Sequence, residues 1–423
     1  MSERLGVDQA GWPDEARLGG RGVLPPDARG RKVSHGLSLA YARPVRVVVV
    51  GLGVMGLSAA AELAARGHDV VGLDRGDVGN RLASSSGASR IYRLAHADRG
   101  WVRLAVWNHE LWTRLEQDAG RPLRWRRGLV WRGGLSDGVA DALAAEGVEH
   151  ELLNEARQAE VFPELRWRPD MLSVWQPDAG AIRADEALLA TAAKFQRSGG
   201  TIVSGATVLE ISQPHGSASG VTVVAERAGE RQTWMADRVV LTPGPWAGPL
   251  LADLDVQVVL RPFLEQVTYV RGGEAVPWAD RPCVIDPPAD ASSFGFYAMP
   301  TPGIGYKIGI DDTIGAFDPD EPDRSPRQWR EDEAVARLRA EIPAFDATPI
   351  RSEVCAWTES DDDGFVIDRV GEVFFGCGDS GQGFKFLPMF GQIFADLVEG
   401  RALPVGVGAD VAGLFGLGRF SGR

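Results

Sequence analysis

The sequence predicts a mixed α/β fold, in which a domain built on a parallel sheet is interrupted by a second domain built on an antiparallel sheet. Two segments of the 423-residue chain predict the parallel sheet, because in each an apolar run enters a glycine-rich turn, at residues 45–56 and again at residues 373–383. Between these segments, residues 258–312 alternate apolar and polar side chains, with turn signals at Gly272-Gly273 and Pro287-Pro288, as antiparallel strands do.

The first glycine-rich turn, Gly51-Leu-Gly-Val-Met-Gly56, stands between an apolar run and an alanine-rich segment, and Asp74 ends the next apolar run. This strand–turn–helix–strand context is typical of a Rossmann-like dinucleotide-binding unit. Gly51 makes the tight turn, Gly53 lets the backbone approach a pyrophosphate, and Gly56 lets the helix pack closely on the strand. The helix N-terminus attracts the phosphates, and Asp74 accepts hydrogen bonds from a ribose. The motif predicts a dinucleotide without deciding between NAD and FAD.

The remaining elements follow in chain order from hydrophobic periodicity and turn residues. A glycine- and serine-rich loop at 83–90 precedes a helix over 102–117, and residues 128–175 have the pattern of strands and short helices. A helix over 184–197 ends at Gly199-Gly200 and leads into a β-rich stretch over 201–242. A charged helix over 327–341 and a last helix over 387–399 follow the antiparallel segment.

These elements divide the chain into a Rossmann-like FAD-binding domain and an inserted antiparallel-sheet substrate domain. The predicted FAD-binding domain comprises residues 44–130, 176–257 and 356–405, and the predicted substrate domain comprises residues 131–175 and 258–355. Residues 1–43 lack hydrophobic periodicity and are expected to be a disordered extension or an over-called start, and residues 406–423 are expected to be a tail. A discontinuous pair of domains favours FAD over NAD, because a flavoprotein has to wrap an extended cofactor.

Composition and charge restrict the classes of function. The chain is 44% hydrophobic and 24% charged, as soluble globular proteins are, and its net charge of −13 opposes binding to nucleic acid or to an anionic membrane surface. Its three cysteines lie far apart, which argues against a disulfide framework and a zinc site and fits a reduced, cytoplasmic setting. No apolar run approaches the roughly 18–20 residues that span a membrane. We therefore expect neither a metal site nor a membrane anchor.

Five short motifs occur in a fixed order along the chain: GLGVMG (51–56), GASRIYR (87–93), GIGYK (303–307), CAWT (355–358) and GQGFKF (381–386). As a set they resemble the D-amino-acid-oxidase superfamily of flavoenzymes. Within it, the strongest similarity is to monomeric sarcosine oxidase and its N-methyl-amino-acid, pipecolate and imino-acid oxidase relatives. The resemblance extends over about residues 44–405 and implies that the dinucleotide is FAD.

Two arginines and a lysine receive roles from this resemblance. Arg90 and Arg93 are three residues apart, so on a helical turn they would share one face, and without the resemblance they would be read as exposed surface arginines. The resemblance implies that Arg90 lies against the flavin ring and that Arg93 binds the substrate carboxylate, which suits a planar guanidinium. It also implies that Lys385 pairs with this carboxylate, although a lysine between two aromatic residues often extends to solvent.

A second lysine and a tyrosine are implied for the chemistry itself. Lys307 lies in an alternating segment and would by itself be one polar residue of a half-exposed strand. The resemblance implies that Lys307 lies near the flavin N5 and activates oxygen, because a fixed positive charge stabilises the charge that develops as reduced flavin gives up an electron. Tyr297, ten residues earlier, matches an active-site tyrosine of the family.

Cys355 would by itself be a small buried hydrophobe, which is the usual role of a single cysteine in a strand. The resemblance implies instead that its thiolate forms a thioether with the flavin 8α-methyl group, with Arg or Lys nearby. It also implies backbone N–H contacts from Gly381 and Gly383 to the flavin carbonyl. The predicted cofactor-binding residues are Gly51, Gly53, Val54, Met55, Gly56, Asp74, Arg75, Ser86, Arg90, Val208, Cys355, Gly381, Gly383, Phe384 and Lys385.

Two positions depart from the pattern of the family. Ser86 and Asp311 stand where the family has histidines that line the substrate pocket, which puts sarcosine itself in doubt as the substrate. A carboxylate at Asp311 attracts a substrate amine, or it pairs with Lys307. His96 is the histidine nearest to the matched positions, and no histidine base is implied.

The resemblance implies an FAD-dependent oxidase of a secondary or cyclic amino acid. In this chemistry the neutral amine passes the hydride of its α-carbon to flavin N5, the product is an imine, and O2 is reduced to H2O2. Two alternatives stay open: a flavin-dependent amine dehydrogenase with another electron acceptor, against which Lys307 argues, and a non-catalytic dinucleotide-binding subunit, against which the pocket residues argue. We expect a monomer or a weak homodimer.

Overall fold

The computed structural model describes residues 43–213, 220–274, 276–288, 294–321, 323–402 and 415–420. The predicted N-terminal extension, apart from residue 43, and most of the predicted tail lie outside these described residues. Within the tail, Phe415 is buried and stacks on Phe365, with 6.2 Å between the ring centroids. No helix in the described part of the chain is long and apolar enough to cross a membrane.

The described residues form eight α-helices and twenty-one strands, and several of the strands follow one another without an intervening α-helix. The helices are α1 (Val54–Ala65), α2 (Arg99–Ala119), α3 (Ser136–Ala145), α4 (Glu155–Val161), α5 (Ala184–Arg197), α6 (Ala247–Ala252), α7 (Gln328–Glu341) and α8 (Leu387–Val398). The strands are β1 (Arg46–Val50), β2 (Asp69–Asp74), β3 (Ser89–Tyr92), β4 (Arg124–Arg126), β5 (Leu129–Arg132), β6 (Glu151–Leu152), β7 (Ser173–Gln176), β8 (Gly180–Arg183), β9 (Thr201–Ser204), β10 (Ala206–Ser212), β11 (Val221–Arg227), β12 (Glu230–Ala236), β13 (Arg238–Leu241), β14 (Leu260–Gly272), β15 (Cys283–Asp286), β16 (Phe296–Thr301), β17 (Gly305–Ile310), β18 (Gly315–Ala316), β19 (Asp346–Ser360), β20 (Val366–Val370) and β21 (Val373–Cys377).

A six-stranded sheet joins the two glycine-rich segments. Its order is β20-β21-β13-β1-β2-β9, and every pair except β20–β21 is parallel. Val50 at the end of β1 lies opposite Leu73 of β2 and Leu241 of β13. The carboxyl ends of these strands therefore meet at one edge of the sheet, which is where open α/β sheets bind their ligands.

Both faces of this parallel sheet are covered, which explains why its strands are almost continuously apolar. On one face, Leu57 and Leu63 of α1 share a core with Phe390 and Phe394 of α8, and α2 and α5 extend the same core. On the other face lies a three-stranded sheet in the order β10-β11-β12, together with α6. The result is a layered α/β domain, so the predicted mixed α/β fold is confirmed.

The antiparallel segment forms a nine-stranded sheet. Eight strands follow the order β18-β14-β17-β16-β15-β5-β7-β6, and β19 pairs with β14; the pair β5–β15 is parallel. Helix α7 packs Ala334 and Leu338 against Tyr306 and Ile308 on one face of this sheet. Strand β19 is continuous from Asp346 to Ser360, so it passes through the predicted boundary between residues 355 and 356.

A buried network of ion pairs ties this sheet to α7. Arg132 of β5 is fully buried and donates to Asp286 of β15 at 2.5 Å and to Glu341 of α7 at 2.7 Å. Glu341 also accepts a hydrogen bond from Arg168 at 2.6 Å. Because both carboxylates are buried, their charges depend on these guanidinium partners for compensation.

Candidate active site

A cavity of about 1000 Å³ opens at the carboxyl edge of the parallel sheet and extends along the face of the nine-stranded sheet opposite α7. Gly56 and Ser86 do not line this cavity, whereas Ser84 and Ser85 do. The predicted site residues that line it are Gly51, Gly53, Val54, Met55, Asp74, Arg75, Arg90, Arg93, Val208, Tyr297, Lys307, Cys355, Gly381, Gly383, Phe384 and Lys385. Residues from widely separated segments thus meet around one space.

The glycines of the first turn are required by close packing. Gly51 has φ +86°, and a Cβ added to it would lie 2.3 Å from the carbonyl oxygen of Thr242. A Cβ added to Gly56 would lie 1.9 Å from the carbonyl oxygen of Gly51, so Gly56 acts through the contact of helix with turn and not through the cavity wall. At the start of α1, the N–H of Val54 donates to Ser85 Oγ at 2.8 Å. The backbone therefore reaches the cavity without a side chain in between.

Asp74 ends β2 at the edge of the cavity. Its Oδ2 accepts the N–H of Leu52 at 2.7 Å and its Oδ1 accepts the N–H of Gly76 at 2.9 Å. Burial raises the pKa of this carboxyl, and the two backbone donors counter that rise. A carboxylate has about four lone pairs, so a carboxylate fixed in this way still accepts hydrogen bonds from a ribose hydroxyl.

Three side chains that line the cavity contact one another. The guanidinium of Arg75 stacks on Trp246, 4.2 Å from the ring centroid, and pairs with Asp320 at 3.1 Å. Trp246 Nε1 donates to Asp320 at 2.8 Å. Arg75 follows β2 and Asp320 follows β18, so the two sheets contact each other here.

Arg90 lies in a strand, and the expectation that Arg90 and Arg93 share a helical turn is wrong. Strand β3 pairs with β8, with Arg90 opposite Ile182, and Arg93 comes just after the strand ends. The guanidinium of Arg90 donates to the carbonyl oxygens of Ser84 at 3.1 Å, Ser86 at 2.5 Å and Ser89 at 3.0 Å. Ser86 therefore acts here through its backbone, by holding the arginine at the cavity wall.

Arg93 and Lys385 are two buried cations with few anions nearby. Arg93 donates to the carbonyl of Ala95 and stacks on Trp131 at 5.2 Å; burial lowers its pKa to about 10, and Asp311 opposes that shift. Lys385 is 8% exposed and donates to the carbonyl oxygen of Gln382 at 3.0 Å. Burial, and then repulsion by Arg93, lowers the pKa of Lys385 well below its usual value. An anion bound between the two cations would relieve both shifts.

The position of Lys385 is fixed from behind by helix α2. Its carbonyl oxygen accepts hydrogen bonds from Asn108 Nδ2 at 2.6 Å and from Trp112 Nε1 at 2.7 Å. Phe384 and Phe386 are buried on either side of it. His96, the nearest histidine, stacks between Trp101 and Phe386 and does not line the cavity.

Lys307 is 1% exposed, so the reading of its strand as half-exposed is wrong. All six residues of β17 are buried, because α7 packs on one face and β3 approaches the other. Nζ of Lys307 donates to the carbonyl oxygen of Ser89 at 2.5 Å. Burial, and then the charge of Arg90, lowers the pKa of Lys307 to about 7. Its ammonium therefore titrates near neutral pH.

Tyr297 forms a pair with Glu265, a residue that the sequence did not indicate. The Tyr297 hydroxyl donates to Oε1 of Glu265. Burial raises the pKa of Glu265 to about 6. The pKa of Tyr297 is raised well above its usual value, mainly by burial and secondly by the negative charge of Glu265. Glu265 lines the cavity. Its role depends on strand pairing across the nine-stranded sheet, and a single segment of sequence carries no sign of that pairing.

Cys355 lies on β19 and faces the cavity, directly opposite Glu265 on β14. Burial and Glu265 raise the pKa of the thiol, whereas Arg90 and Lys307 lower it, and the outcome is about 11. The sulfur is therefore a neutral thiol in the protein alone. Its conversion to a nucleophile requires a proton acceptor.

The second glycine-rich turn supplies another buried acid that the sequence analysis missed. Burial raises the pKa of Asp379 to about 6, and its Oδ1 accepts the N–H of Thr358 at 3.1 Å. Gly381 has φ +68°, and a Cβ there would contact the ring of Trp357. Ser380 has φ +44° although it is not glycine. Strained backbone of this kind occurs where a loop is shaped for a ligand.

The cavity fits an extended dinucleotide with a flavin at one end. Several buried polar atoms of its wall have no hydrogen-bond partner within the described protein, among them Ser84 Oγ, Trp357 Nε1 and Thr358 Oγ1. Glycine turns at both ends leave backbone exposed to a ligand. The described residues hold no cluster of His, Cys, Asp and Glu suited to a metal ion. A polar ligand is therefore the group that this space accommodates.

The family comparison gives the same result. A family model described as FAD dependent oxidoreductase matches residues 46–397. The chain belongs to this family. The match includes both glycine turns and all of the nine-stranded sheet, so the recognition made from the five motifs is confirmed.

Individual relatives support the same assignment. The chain is 30% identical over 376 residues to the monomeric sarcosine oxidase of Streptomyces avermitilis, covering 83% of this chain and 92% of that protein. It is 28% identical over 373 residues to the peroxisomal sarcosine oxidase of Mus musculus, covering 83% and 91%. The structure of NikD, described as an unusual amino acid oxidase essential for nikkomycin biosynthesis, matches with a TM-score of 0.74 at 28% identity, covering 84% and 94%.

Proposed function

We propose that this FAD-dependent oxidoreductase is an oxidase of a secondary or cyclic amino acid. The observation that carries the proposal is the pair Arg93 and Lys385, two buried cations at the cavity whose pKa values are both lowered by burial. Placing two positive charges in a buried wall is costly unless an anion binds between them. A substrate carboxylate supplies that anion. The sarcosine oxidases and the amino acid oxidase that resemble this chain favour the same class of reaction.

The other end of the substrate would be set by Asp311. This carboxylate lines the cavity. Burial raises the pKa of Asp311, and the positive charge of Arg93 partly opposes that rise. A carboxylate close to the carboxylate-binding cations is suited to a substrate that carries its amine next to its carboxyl group. The family has a histidine at this position, so the substrate is expected to differ from sarcosine in the groups that surround the amine.

The chemistry that bound FAD would supply is acceptance of a hydride from the α-carbon of the amine and transfer of the electrons to O2. The protein contributes orientation through Arg93 and Lys385, which hold the carboxylate at two points. Arg90, held by three backbone carbonyls, and Lys307 would supply fixed positive charge beside the flavin. Glycine turns at 51–56 and 378–383 would hold the two ends of the cofactor.

We also propose that FAD is attached through Cys355. Cys355 is a free cysteine on the cavity wall, in the same face of the sheet as Lys307 and Glu265. Cys283 and Cys377 are free as well, and three unpaired cysteines fit a reducing, cytoplasmic setting. A monomer or weak homodimer is proposed for the protein in solution.

The test is a panel of secondary and cyclic amino acids, scored under air for H2O2 and without oxygen for bleaching of the flavin. We expect peroxide from at least one amino acid, and a large loss of bleaching in Arg93→Met and Lys385→Met. Lys194→Met is the matched control, because Lys194 lies on α5 and pairs with Glu62 and Asp118 away from this cavity. Bleaching without peroxide would identify a dehydrogenase, and no bleaching with any amine would refute the proposal.

A further inference from the structure

Glu265 and Cys355 are direct neighbours on the wall of the cavity. They are paired across the antiparallel strands β14 and β19, and both line the cavity. Opposite residues of an antiparallel pair point to the same face, with Cβ atoms about 4.5–5.5 Å apart. The carboxyl group of Glu265 and the thiol of Cys355 therefore lie on the same face of the sheet, at a separation that one water molecule can bridge.

Tyr297 holds Glu265 in this position. Strand β17 stands between β14 and β16, so the Tyr297 side chain spans a whole strand to donate to Oε1 of Glu265. It passes over Gly309, where an added Cβ would lie 2.4 Å from Cζ of Tyr297. The bond to Tyr297 engages one carboxylate oxygen, and the second oxygen has lone pairs of its own. A glycine in β17 thus permits a contact that fixes an acid beside the cysteine.

We propose that Glu265 is the proton acceptor for Cys355 when its sulfur bonds to FAD, an inference that rests on the covalent attachment proposed above. Attachment breaks the S–H bond of Cys355 and one C–H bond of the 8α-methyl group, and it forms one C–S bond. Two electrons and two protons leave in total, and O2 takes them up as H2O2. The first of these protons passes from Sγ to Glu265, from which solvent removes it.

The surrounding cations reduce the cost of this transfer, which takes the proton from a thiol with a pKa of about 11 to a carboxylate with a pKa of about 6. The charged and titratable groups that interact with the pair from neighbouring elements are Arg90 of β3, Lys307 of β17, Asp311 after β17, Tyr297 of β16, Arg324 between β18 and α7, and Glu353 of β19. With Glu265 charged, its carboxylate opposes a thiolate on Cys355. Moving the proton to Glu265 removes that opposition and leaves the sulfur charge facing Arg90 and Lys307. The net charge of the cluster does not change.

The experiment compares two variants that remove the same charge. Glu265→Gln removes the carboxylate that lies opposite Cys355. Glu353→Gln removes a different carboxylate, two residues before Cys355 on β19, which accepts a hydrogen bond from Tyr269. Each full-length protein is isolated partly free of flavin and incubated with FAD in air. Samples are precipitated with acid at intervals, and the flavin in the pellet is measured by absorbance.

The two variants are expected to respond in opposite directions. Glu353→Gln removes a negative charge that raises the thiol pKa, so attachment proceeds at least as fast as in the wild type. Glu265→Gln also removes such a charge but loses the proton acceptor, and attachment slows by about 100-fold, as expected for a lost general base. Equal or faster attachment in Glu265→Gln would overturn the inference.

Two further measurements separate proton transfer from a structural effect. Attachment in Glu265→Gln is expected to accelerate with rising pH as solvent base takes over, whereas the wild-type rate levels off once Glu265 is ionised. Glu265→Asp, which keeps the carboxylate, is expected to be faster than Glu265→Gln at each pH, and equal rates would count against the inference. If Glu265→Gln binds no FAD, Tyr297→Phe takes its place and is expected to attach flavin more slowly than wild type.

The outcome also distinguishes this inference from the proposed function. A colourless wild-type pellet, with free FAD in the supernatant, would refute the thioether and the inference together while leaving the oxidase proposal intact. A yellow wild-type pellet with unchanged kinetics in Glu265→Gln would refute the inference alone.

Discussion

Replacing Lys307 by methionine tests whether a buried ammonium group makes the reduced enzyme reactive toward oxygen. Methionine has a similar length and no charge, so it fills the space beside Tyr269 and removes the Nζ that donates to the Ser89 carbonyl. We expect Lys307→Met to be reduced by substrate at close to the wild-type rate. Reoxidation by O2 is expected to slow by about 100–1000-fold, the range found when one preorganised electrostatic group is removed.

The pKa of Lys307 gives this prediction a pH dependence. That pKa is lowered to about 7 by burial and by Arg90, so the side chain is charged below this pH and neutral above it. From one unit below its pKa to one unit above, the charged fraction falls about tenfold. A negative charge on reduced flavin raises the pKa, so the fall lies at or above pH 7. Wild-type reoxidation therefore slows as pH rises, and Lys307→Met is slow throughout.

The assay is stopped-flow mixing of anaerobically reduced protein with oxygenated buffer at a series of pH values. The rate is read from the return of flavin absorbance. Lys194→Met again serves as the control, since it removes a lysine charge from α5 outside the cavity. The reasoning fails if Lys307→Met is reoxidised as fast as wild type, or if the wild-type rate is flat across the pH series.

Four further predictions concern binding and stability. In flavin-free protein, Lys307 stays protonated up to about pH 10.5 in the unfolded chain but only up to about pH 7 in the folded chain. The free energy of unfolding therefore rises with pH between these values, by up to about 1.4 kcal/mol per pH unit. Denaturant unfolding at a series of pH values should show this slope in the wild type and its loss in Lys307→Met. Gly56→Ala places a Cβ 1.9 Å from a backbone oxygen and should abolish FAD binding, measured by fluorescence titration. Gly248→Ala is the control, because its added Cβ would have no atom within 4 Å, and it should bind FAD normally. Arg93→Lys should raise KM about tenfold or more through loss of the bidentate contact, and an unchanged KM would remove Arg93 from the carboxylate site. Arg132→Met leaves Asp286 and Glu341 buried with reduced compensation and should lower the free energy of unfolding by about 3–5 kcal/mol, measured by urea denaturation; a loss below about 1 kcal/mol would contradict this.

The nucleotide-binding half was predictable because its signals are local. The turn at Gly51, the helix after it and Asp74 at the end of the next strand lie within thirty residues of one another, and each is required by short-range geometry. The exclusion of a side chain at Gly51 is nevertheless enforced by Thr242, which directly follows the distant strand β13. Local sequence therefore located the turn, while the tertiary contact explains why the turn tolerates only glycine.

The substrate half was less predictable because its chemistry depends on strand pairing. Arg90 was expected on a helical turn, and its pairing with Ile182 of β8 instead makes that segment a strand. The local pattern around Lys307 indicated a half-exposed strand, although the resemblance placed this lysine near the flavin, and only the packing of α7 and β3 on opposite faces buries it. Glu265 was missed because its partners are Cys355, on a strand ninety residues later, and Tyr297, two strands away in the sheet. Alternation of apolar and polar residues along a strand indicates that one of its faces is exposed, but both faces of β17 are buried.

The strand order of the parallel sheet has a consequence for how the protein is made. The turn at Gly51 leaves the ribosome before the carbonyl of Thr242 that it packs against, which follows nearly two hundred residues later, and β21 follows later still. Lys385 and α8, which shares a core with α1, come after β21. FAD therefore meets a complete binding site only after α8 has been synthesised. The folding steps that precede α8 proceed without the cofactor.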